Sequence, residues 1–211
     1  MVRILCFGDS NTWGYISGTD HLRFNETERW TKLLQKKLGS EFEIIEEGLN
    51  SRTLFSDDLR PGKEGRNGFK YLKPCMDSHD KLDIIILMLG TNELKFEFNN
   101  SAEDILDMLK MYIEFISGYK SQIDGSTPKL IISGLPIVTE TTDYCNAKNK
   151  YINAHNKSIK LNELLKNYCK SNNILFIENS ELETGVDGVH LTLESHKLLA
   201  NKLCNAVKNL K

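Results

Sequence analysis

Residues 1–14 read MVRILCFGDSNTWG and place a continuous apolar run, Val2–Phe7, directly before the polar turn Gly8-Asp9-Ser10-Asn11-Thr12. An apolar run of this length without polar alternation is typical of a strand buried on both faces of a parallel sheet. Further short apolar runs follow along the chain and predict four more strands. They are Phe42–Glu46, Leu82–Leu89, Leu130–Ser133 and Ile174–Ile177.

Segments with apolar residues at helical spacing lie between and after these runs. The first has Thr27 as a predicted N-cap and Gly39 as a stop, and the second begins with a capping box at Ser101 and Asp104 and ends near Gly118. The apolar positions of the four helices are Trp30, Leu33, Leu34 and Leu38, then Ile105, Met108, Leu109, Tyr112, Ile113 and Ile116, then Ile152, Ile159, Leu164, Leu165 and Tyr168, and finally Leu198, Leu199, Leu203, Ala206 and Val207.

The alternation of strands and helices predicts one α/β domain over residues 1–211. Right-handed crossovers would give a doubly wound, flavodoxin-like sheet of five parallel strands with helices on both faces. The loop from Gly48 to about Gly68 is long for such a domain, and loops of this kind are more often functional than idle.

The composition excludes several classes of partner. A formal net charge of -2 gives no electrostatic reason to bind nucleic acid or an anionic membrane. The apolar stretch Ile84–Leu89 is too short to span a bilayer, and the N-terminus carries no signal-peptide pattern, so we expect a cytoplasmic protein. No Cys/His cluster has zinc-ligand spacing, no metal is predicted, and reduced thiols are expected at Cys6, Cys75, Cys145, Cys169 and Cys204.

Polar turns follow the strands at the edge where doubly wound sheets bind their ligands. Ser10 after the first strand could be an exposed nucleophile, although a helix N-cap explains the turn equally well. Asn92 after the third strand could direct its amide at an oxyanion, and an Asx-turn or helix cap is an equal alternative. The turn at 48–53 after the second strand is by itself only a polar turn.

Asp187 and His190 stand three residues apart after the last strand, where the carboxylate could orient the imidazole as a general base. Each motif alone is weak evidence, but together they supply the nucleophile, oxyanion donors and base of an acyl-transfer reaction. The GxSxG, HExxH, GxxxxGK[ST] and GxGxxG motifs are absent, which disfavours an ordinary α/β-hydrolase, a metalloprotease and a nucleotide-binding protein.

The four blocks ILCFGDSNTWG, FEIIEEGLNSRT, LMLGTNELK and DGVHLT resemble the SGNH (GDSL-type) hydrolase superfamily. Within it they are most similar to the arylesterase/acyltransferase branch, which includes bacterial perhydrolases. The resemblance extends to Arg29-Trp30 and the segment around Asp57-Asp58. It implies Ser10 as nucleophile, Asp187 and His190 as its partners, and an oxyanion hole made by the N–H groups of Ser10 and Ser51 and the Asn92 amide.

Three residues depart from the superfamily pattern. Ser51 stands where the second block has glycine. The predicted donor there is a backbone N–H, which a small side chain need not remove. Asn11 stands where the first block has its namesake leucine. Glu93 replaces the usual aspartate after Asn92, and we expect this change to affect support of the site and not the chemistry.

The resemblance implies a serine esterase that hydrolyses small, short-chain and acetyl-type esters through an acyl-enzyme, without a cofactor, and that forms a homo-oligomer. One alternative is acyl transfer to an alcohol or peroxide, in an apolar pocket lined by Trp13, Phe55 and Phe96. A binding module without catalysis is a second.

Substrate contacts are predicted at Asp9, Trp13 and Arg52. Arg52 and Asp57 are expected to contact either the substrate or a neighbouring subunit. The remaining histidines have no obvious partner in the sequence and are expected at the surface or as caps. They are His21, His79, His155 and His196.

Overall fold

Five parallel strands form one sheet in the order β2-β1-β3-β4-β5. They are β1 (Val2–Gly8), β2 (Phe42–Gly48), β3 (Ile84–Met88), β4 (Lys129–Ser133) and β5 (Leu175–Ile177). The structure is a computed structural model that describes residues 1–58, 60–140 and 150–210. The predicted strands and the flavodoxin-like order are confirmed.

Six α-helices complete the described parts of the chain. They are α1 (Ser10–Trp13), α2 (Trp30–Leu38), α3 (Gly68–Ser78), α4 (Ala102–Gly118), α5 (Ala154–Ser171) and α6 (Leu193–Asn209). Helix α2 packs on α6, and α4 packs on α5. Because β1 lies between β2 and β3, right-handed crossovers place α2 on one face of the sheet and α3, α4 and α5 on the other. Helix α6 follows the last strand and lies on the same face as α2, on which it packs.

The strands at the centre of the sheet are buried on both faces. Ile4, Leu5, Cys6 and Phe7 of β1 are fully inaccessible to solvent, and every residue of β3 is buried. In the register of the sheet Gly8 lies opposite both Gly48 of β2 and Met88 of β3. The three strands therefore end level with one another, and the turns that carry Ser10, Ser51 and Asn92 emerge at one edge.

Several local predictions are confirmed at the helix ends. Gly39 closes α2, and Ser101 and Asp104 form the capping box of α4, which ends at Gly118. The prediction of Thr27 as the cap of α2 is wrong. The helix begins at Trp30 after Arg29, while the Thr27 hydroxyl donates to Asn25 nearby.

The buried face of α5 differs from the predicted one. Ile152 lies before the helix and Ile159 on its outer side, both exposed to solvent. The buried positions instead include Ser158 and Asn162, which bond to the backbone of the segment after β4. Polar side chains that satisfy buried backbone groups cannot be recognised from hydrophobic periodicity.

The predicted free cysteines lie in the core where they are described. Cys6, Cys75, Cys169 and Cys204 are buried and unbridged, and Cys145 lies outside the described residues. No helix among the described residues is long and apolar enough to cross a membrane.

The four histidines for which the sequence predicted no partner each form a hydrogen bond in the structure. Nδ1 of His21 contacts Asp20, Nε2 of His79 contacts Glu47, and Nδ1 of His155 contacts the Val138 carbonyl. His196 is fully buried and not at the surface, since its Nδ1 accepts from the Trp30 N–H where α6 meets α2. Burial lowers the pKa of His196 to about 3, so it remains neutral.

A partly buried ion pair joins the start of α2 to the end of β2. The Arg29 guanidinium donates to both carboxylate oxygens of Glu46, at 2.7 and 2.9 Å, and the Thr31 hydroxyl donates to the same carboxylate. Burial alone would raise the pKa of Glu46, but the hydrogen bonds from Arg29 and Thr31 and the nearby positive charges lower it to about 2.

We expect Glu46→Gln to lower the free energy of unfolding by roughly 2–4 kcal/mol near neutral pH, because it leaves the Arg29 charge without its partner. The folded-state pKa is depressed, so this stabilisation is present above the unfolded-state pKa of about 4.3 and is lost as pH falls towards 2. Urea unfolding of the wild type and the variant across this pH range measures the difference.

Glu43→Gln on the same strand is the matched control, because the Glu43 side chain pairs with Arg3 and is 40% exposed. We expect a loss below about 1 kcal/mol there. Equal losses in the two variants would contradict a special contribution of Glu46.

Candidate active site

Ser10 is the first residue of the short helix α1 that follows β1. Asp9 is the N-cap, and its Oδ1 accepts a hydrogen bond from the Asn11 N–H at 2.9 Å. Asp9 thus takes the capping role that the sequence could equally assign to Ser10, and the Ser10 hydroxyl is free for another partner.

Two glycines allow α1 to start so close to the sheet. A Cβ at Gly8 would lie 2.1 Å from the Thr12 hydroxyl and 2.5 Å from the Met88 carbonyl. A Cβ at Gly48 would lie 2.2 Å from the backbone nitrogen of Trp13. Any side chain at either position would push the nucleophile turn away from the ends of the strands.

A chain of hydrogen bonds connects Ser10 to the loop after β5. The Ser10 Oγ lies 2.9 Å from His190 Nε2, and His190 Nδ1 lies 2.6 Å from Asp187 Oδ2. An ionised carboxylate can only accept, so Nδ1 carries the proton and Nε2 of the neutral ring accepts from the Ser10 hydroxyl. His190 is therefore oriented to take the proton of Ser10.

Asp187 is buried and held by the backbone of its own turn. Its Oδ1 accepts from the N–H groups of Val189 and His190 at 3.0 and 2.9 Å, and its own N–H donates to Ser17 Oγ. Burial alone would raise the pKa of Asp187, but the bonds from His190 and the backbone lower it to about 2. The carboxylate therefore stays charged and can stabilise an imidazolium at His190.

Two residues to which the sequence analysis assigned no role in the site, Tyr15 and Asn11, fix the position of His190. The Tyr15 ring stacks on the imidazole with centroids 4.3 Å apart. The Asn11 amide donates to the Val189 carbonyl at 3.2 Å, and its oxygen accepts from the Leu191 N–H at 2.9 Å. Asn11 thus binds the residues on both sides of His190, and its departure from leucine was the signal that could have revealed this role.

The residues that carry the three predicted oxyanion donors, Ser10, Ser51 and Asn92, line one cavity. Ser51 has a φ of 64°, the left-handed conformation that favours glycine, which agrees with its alignment to the glycine of the superfamily. No described residue accepts from the N–H of Ser10 or Ser51. One hydrogen of the Asn92 amide is donated to the Arg52 carbonyl at 2.9 Å, which leaves the other for a ligand.

Arg52 is buried beneath the ends of β1 and β2 and is not among the described residues that line the cavity. Its guanidinium is buried and donates to the carbonyls of Gly8 and Glu47. Glu93, also buried, accepts from the Leu54 N–H, and burial raises its pKa to about 7. Both residues hold the segment after Ser51 against the ends of the strands, which agrees with a supporting role for Glu93.

A cavity of about 520 Å³ opens above these groups, and Ser10, Ser51, Asn92, His190 and Tyr15 line it. The predicted substrate contacts at Asp9, Trp13 and Arg52 require correction, because none of the three is among the described lining residues. Asp9 and Arg52 are buried beneath the site, and Trp13 lies under the guanidinium of Arg23.

The aromatic pocket expected for acyl transfer is likewise not found along the described lining. Phe55 packs against Phe69 and Tyr112, and Phe96 is 57% exposed. Asp57, the other predicted contact, forms an exposed ion pair with Lys70 at 2.6 Å.

Among the described residues, one group has the chemistry of metal ligands. Ligand atoms of Glu47, Cys75 and His79 lie within 4.8 Å of one another, outside the cavity. Burial raises the pKa of the Cys75 thiol to about 12, and the Arg52 guanidinium lies 3.8 Å from the Glu47 carboxylate. A protonated thiol and an adjacent cation are poor conditions for a divalent ion.

The doubly wound sheet and the hydrogen-bonded Ser-His-Asp arrangement at its carboxyl edge are those of a serine hydrolase. The chain belongs to the GDSL-like lipase/acylhydrolase family, whose model matches residues 4–203. It is a carboxylic ester hydrolase of the SGNH type, as its solved structural neighbours also indicate.

Those neighbours share the whole length of the chain. An aryl esterase of M. smegmatis in an inhibitor-bound form is 30% identical with a TM-score of 0.92, and each chain is covered completely. A carbohydrate acetylesterase from Sinorhizobium meliloti is 29% identical with a TM-score of 0.92, again over 100% of both chains. A putative arylesterase from Agrobacterium tumefaciens is 26% identical with a TM-score of 0.88 and the same coverage. A comparison with curated proteins finds no match.

We expect Asn11→Ala to lower kcat roughly 10–100-fold, because His190 loses the bonds on both sides of it and a small displacement of the base is costly. The Val189 carbonyl and the Leu191 N–H also lose their partner, so the free energy of unfolding should fall by about 1–3 kcal/mol. Steady-state kinetics on p-nitrophenyl acetate and urea unfolding measure the two effects.

Asn162→Ala is the matched control, because the Asn162 amide makes two comparable buried bonds to the Leu135 backbone and neither residue is among the described lining of the cavity. It should lose similar stability and retain kcat. A parallel loss of kcat in both variants would show that Asn11 acts only through general stability.

Proposed function

We propose that the protein hydrolyses short-chain carboxylic esters, acetyl esters above all, through an acyl-enzyme on Ser10. The observation that carries the proposal is the chain of hydrogen bonds from Asp187 through His190 to Ser10 at the base of the cavity. The neighbours described as aryl esterases and a carbohydrate acetylesterase support an acetyl group on a sugar or aryl alcohol.

In the first step His190 Nε2 takes the Ser10 proton while Oγ attacks the ester carbonyl. Two hydrogen-bonded contacts prepare this transfer before substrate binds, which removes much of the cost of orienting the reacting groups. The positive charge that forms on His190 is stabilised by the ionised Asp187 carboxylate.

The oxyanion of the tetrahedral intermediate would be held by the N–H groups of Ser10 and Ser51 and by the Asn92 amide. The Arg52 carbonyl holds that amide in place before the reaction, so no reorganisation is needed as charge develops. A single donor in such a hole contributes roughly 3 kcal/mol to stabilising the transition state.

His190 then returns its proton to the leaving alcohol, and the ester bond breaks. Water enters next to His190, loses a proton to Nε2 and attacks the acyl-enzyme, which releases the acid and restores Ser10. None of these steps requires a cofactor in this proposal.

Acyl transfer to an alcohol or peroxide uses the same intermediate and stays an alternative. It requires the acyl-enzyme to disfavour water, yet the described lining of the cavity is rich in polar and charged groups. Hydrolysis is therefore the better supported reaction. The predicted homo-oligomer and the cytoplasmic location stay predictions, which light scattering and cell fractionation can test.

We expect Ser10→Ala to lower turnover of p-nitrophenyl acetate by several orders of magnitude, because the nucleophile is removed while the oxyanion donors remain. A fluorophosphonate probe should label the wild type and not the variant. Labelling of neither protein would support the binding module, and near-native turnover by the variant would reject Ser10 as nucleophile.

The same assay tests the substrate class when the acyl group is lengthened from acetyl through butyryl to octanoyl. Turnover should be greatest with acetyl and fall with length. A maximum at octanoyl would contradict the short-chain assignment and leave the role of Ser10 intact.

We expect Ser51→Gly to keep kcat within about threefold, because the proposed donor is a backbone N–H and glycine adopts the φ of 64° without strain. Ser51→Val should lower kcat at least about tenfold, since a β-branched residue is strongly disfavoured there and would displace the donor. Kinetics on p-nitrophenyl acetate compare the two. An equal loss in both variants would assign the function to the hydroxyl and not to the N–H.

A further inference from the structure

The cavity above Ser10 carries more positive than negative groups. Its described lining includes four basic side chains, of Arg60, Lys63, Lys95 and Lys150, against one acidic side chain, that of Asp20. The Asp20 side chain is fully exposed and already contacts His21 at 2.9 Å. An acetyl ester of a neutral alcohol has no group that would use this excess of positive charge.

Lys95 is the most unusual of the four. It follows Asn92 by three residues and is only 6% exposed, yet it is among the residues that line the cavity. No described residue forms a hydrogen bond or ion pair with its ammonium group, and the Phe98 ring centroid is 6.0 Å away. Most of the Lys95 side chain is buried while the residue borders the cavity, so an anion bound there would offset the cost of desolvating its ammonium group.

The charges around Lys95 do not neutralise it. Glu97 and the buried Glu93 act on it only at a distance, and Arg60 and Lys150 add positive charge nearby. Arg60 itself is paired with Asp58 through two hydrogen bonds, the first of them at 2.9 Å. Burial together with these neighbouring cations lowers the pKa of Lys95 to about 8. A bound anion would stabilise the charged form of Lys95 again.

We propose that Lys95 forms an anion subsite beside the catalytic serine, so that the preferred substrate is an ester bearing a carboxylate or phosphate group. The proposal rests on the esterase function and narrows its substrate class. The anion would accept hydrogen bonds from the Lys95 ammonium group, with Arg60, Lys63 and Lys150 adding positive potential around it.

The placement of Lys95 favours an anion on the acyl part of the ester. Lys95 follows the proposed oxyanion donor Asn92 by only three residues, and both line the cavity. The leaving alcohol must lie near His190, which protonates it, on the side of Tyr15 and His21. An anion on the alcohol has the same chemistry, and matched substrates distinguish the two sources.

Two isosteric pairs of substrates test the proposal. Monoethyl succinate carries a carboxylate on the acyl part, and ethyl isocaproate replaces it with an uncharged isopropyl group of similar size. p-Acetoxybenzoate carries the carboxylate on the alcohol part, and p-acetoxybenzamide is its neutral counterpart. For the wild type we expect a higher kcat/KM with one anionic ester than with its neutral partner. The pair that shows this difference tells whether the subsite binds an anion on the acyl part or on the alcohol part of the ester.

The variant Lys95→Met removes the charge and keeps most of the length of the side chain. It should lower kcat/KM for the preferred anionic ester roughly 10–100-fold, the loss of one hydrogen-bonded charge pair. The neutral partner should change less than about threefold. Lys36→Met, which removes an exposed cation on α2 outside the cavity, should leave both substrates unaffected.

The pH dependence supplies a readout that a purely structural role would not produce. Lys95 is charged below its pKa, so the preference for the anionic ester should be present at neutral pH and decline as pH rises through about 8. Any effect of pH that is common to both esters of a pair cancels in the ratio of their kcat/KM values. Lys95→Arg, whose charge persists, should keep a preference that no longer declines with pH.

The outcomes separate the two proposals. The anion subsite would be overturned by equal kcat/KM values within both pairs of esters. It would also be overturned if Lys95→Met lost the same activity on both members of a pair. In either case, hydrolysis of the neutral esters would still support the esterase function. Failure to hydrolyse any of the esters, p-nitrophenyl acetate included, would overturn both.

Discussion

The hydrogen bond between His190 and Ser10 joins residues that are 180 positions apart, and the active site exists only because that contact forms. It requires the turn after β1 and the loop after β5 to meet at one edge of the sheet. The turn after β1 is placed at this edge because the neighbouring strands end level with β1. The loop after β5 is held against that turn by the two hydrogen bonds from Asn11 to Val189 and Leu191. His190 is thus fixed by Asn11, the residue that follows its hydrogen-bond partner Ser10.

The charges around this contact are arranged by burial as well as by pairing. Asp187 stays ionised because backbone and imidazole donors overcome its desolvation, whereas the buried Glu93 lacks comparable compensation and its pKa rises to about 7. The pKa of Lys95 is lowered to about 8, because burial and the neighbouring cations disfavour its charged form. Three buried ionisable groups in one neighbourhood therefore differ in charge state according to the partners available to each.

Prediction of the fold from sequence succeeded where a single physical rule decides the outcome. Continuous apolar runs became strands buried on both faces, and the capping box of Ser101 and Asp104 started α4 as expected. Prediction failed where tertiary contacts decide. Ile152 and Ile159 matched a helical period but are exposed, because buried Ser158 and Asn162 serve backbone groups after β4 that no local pattern reveals.

The sequence by itself determined the candidates for the reacting groups, since Ser10, Asn92, Asp187 and His190 follow buried strands whose ends must share one edge of a parallel sheet. Only the tertiary structure decided which polar residues face the cavity. Arg52 and Asp9 are as polar as Lys95, yet they are buried beneath the site by contacts to backbone groups, while Lys95 borders the cavity without such a contact. Side-chain direction depends on which distant backbone groups need partners, and that information is absent from residue type and spacing.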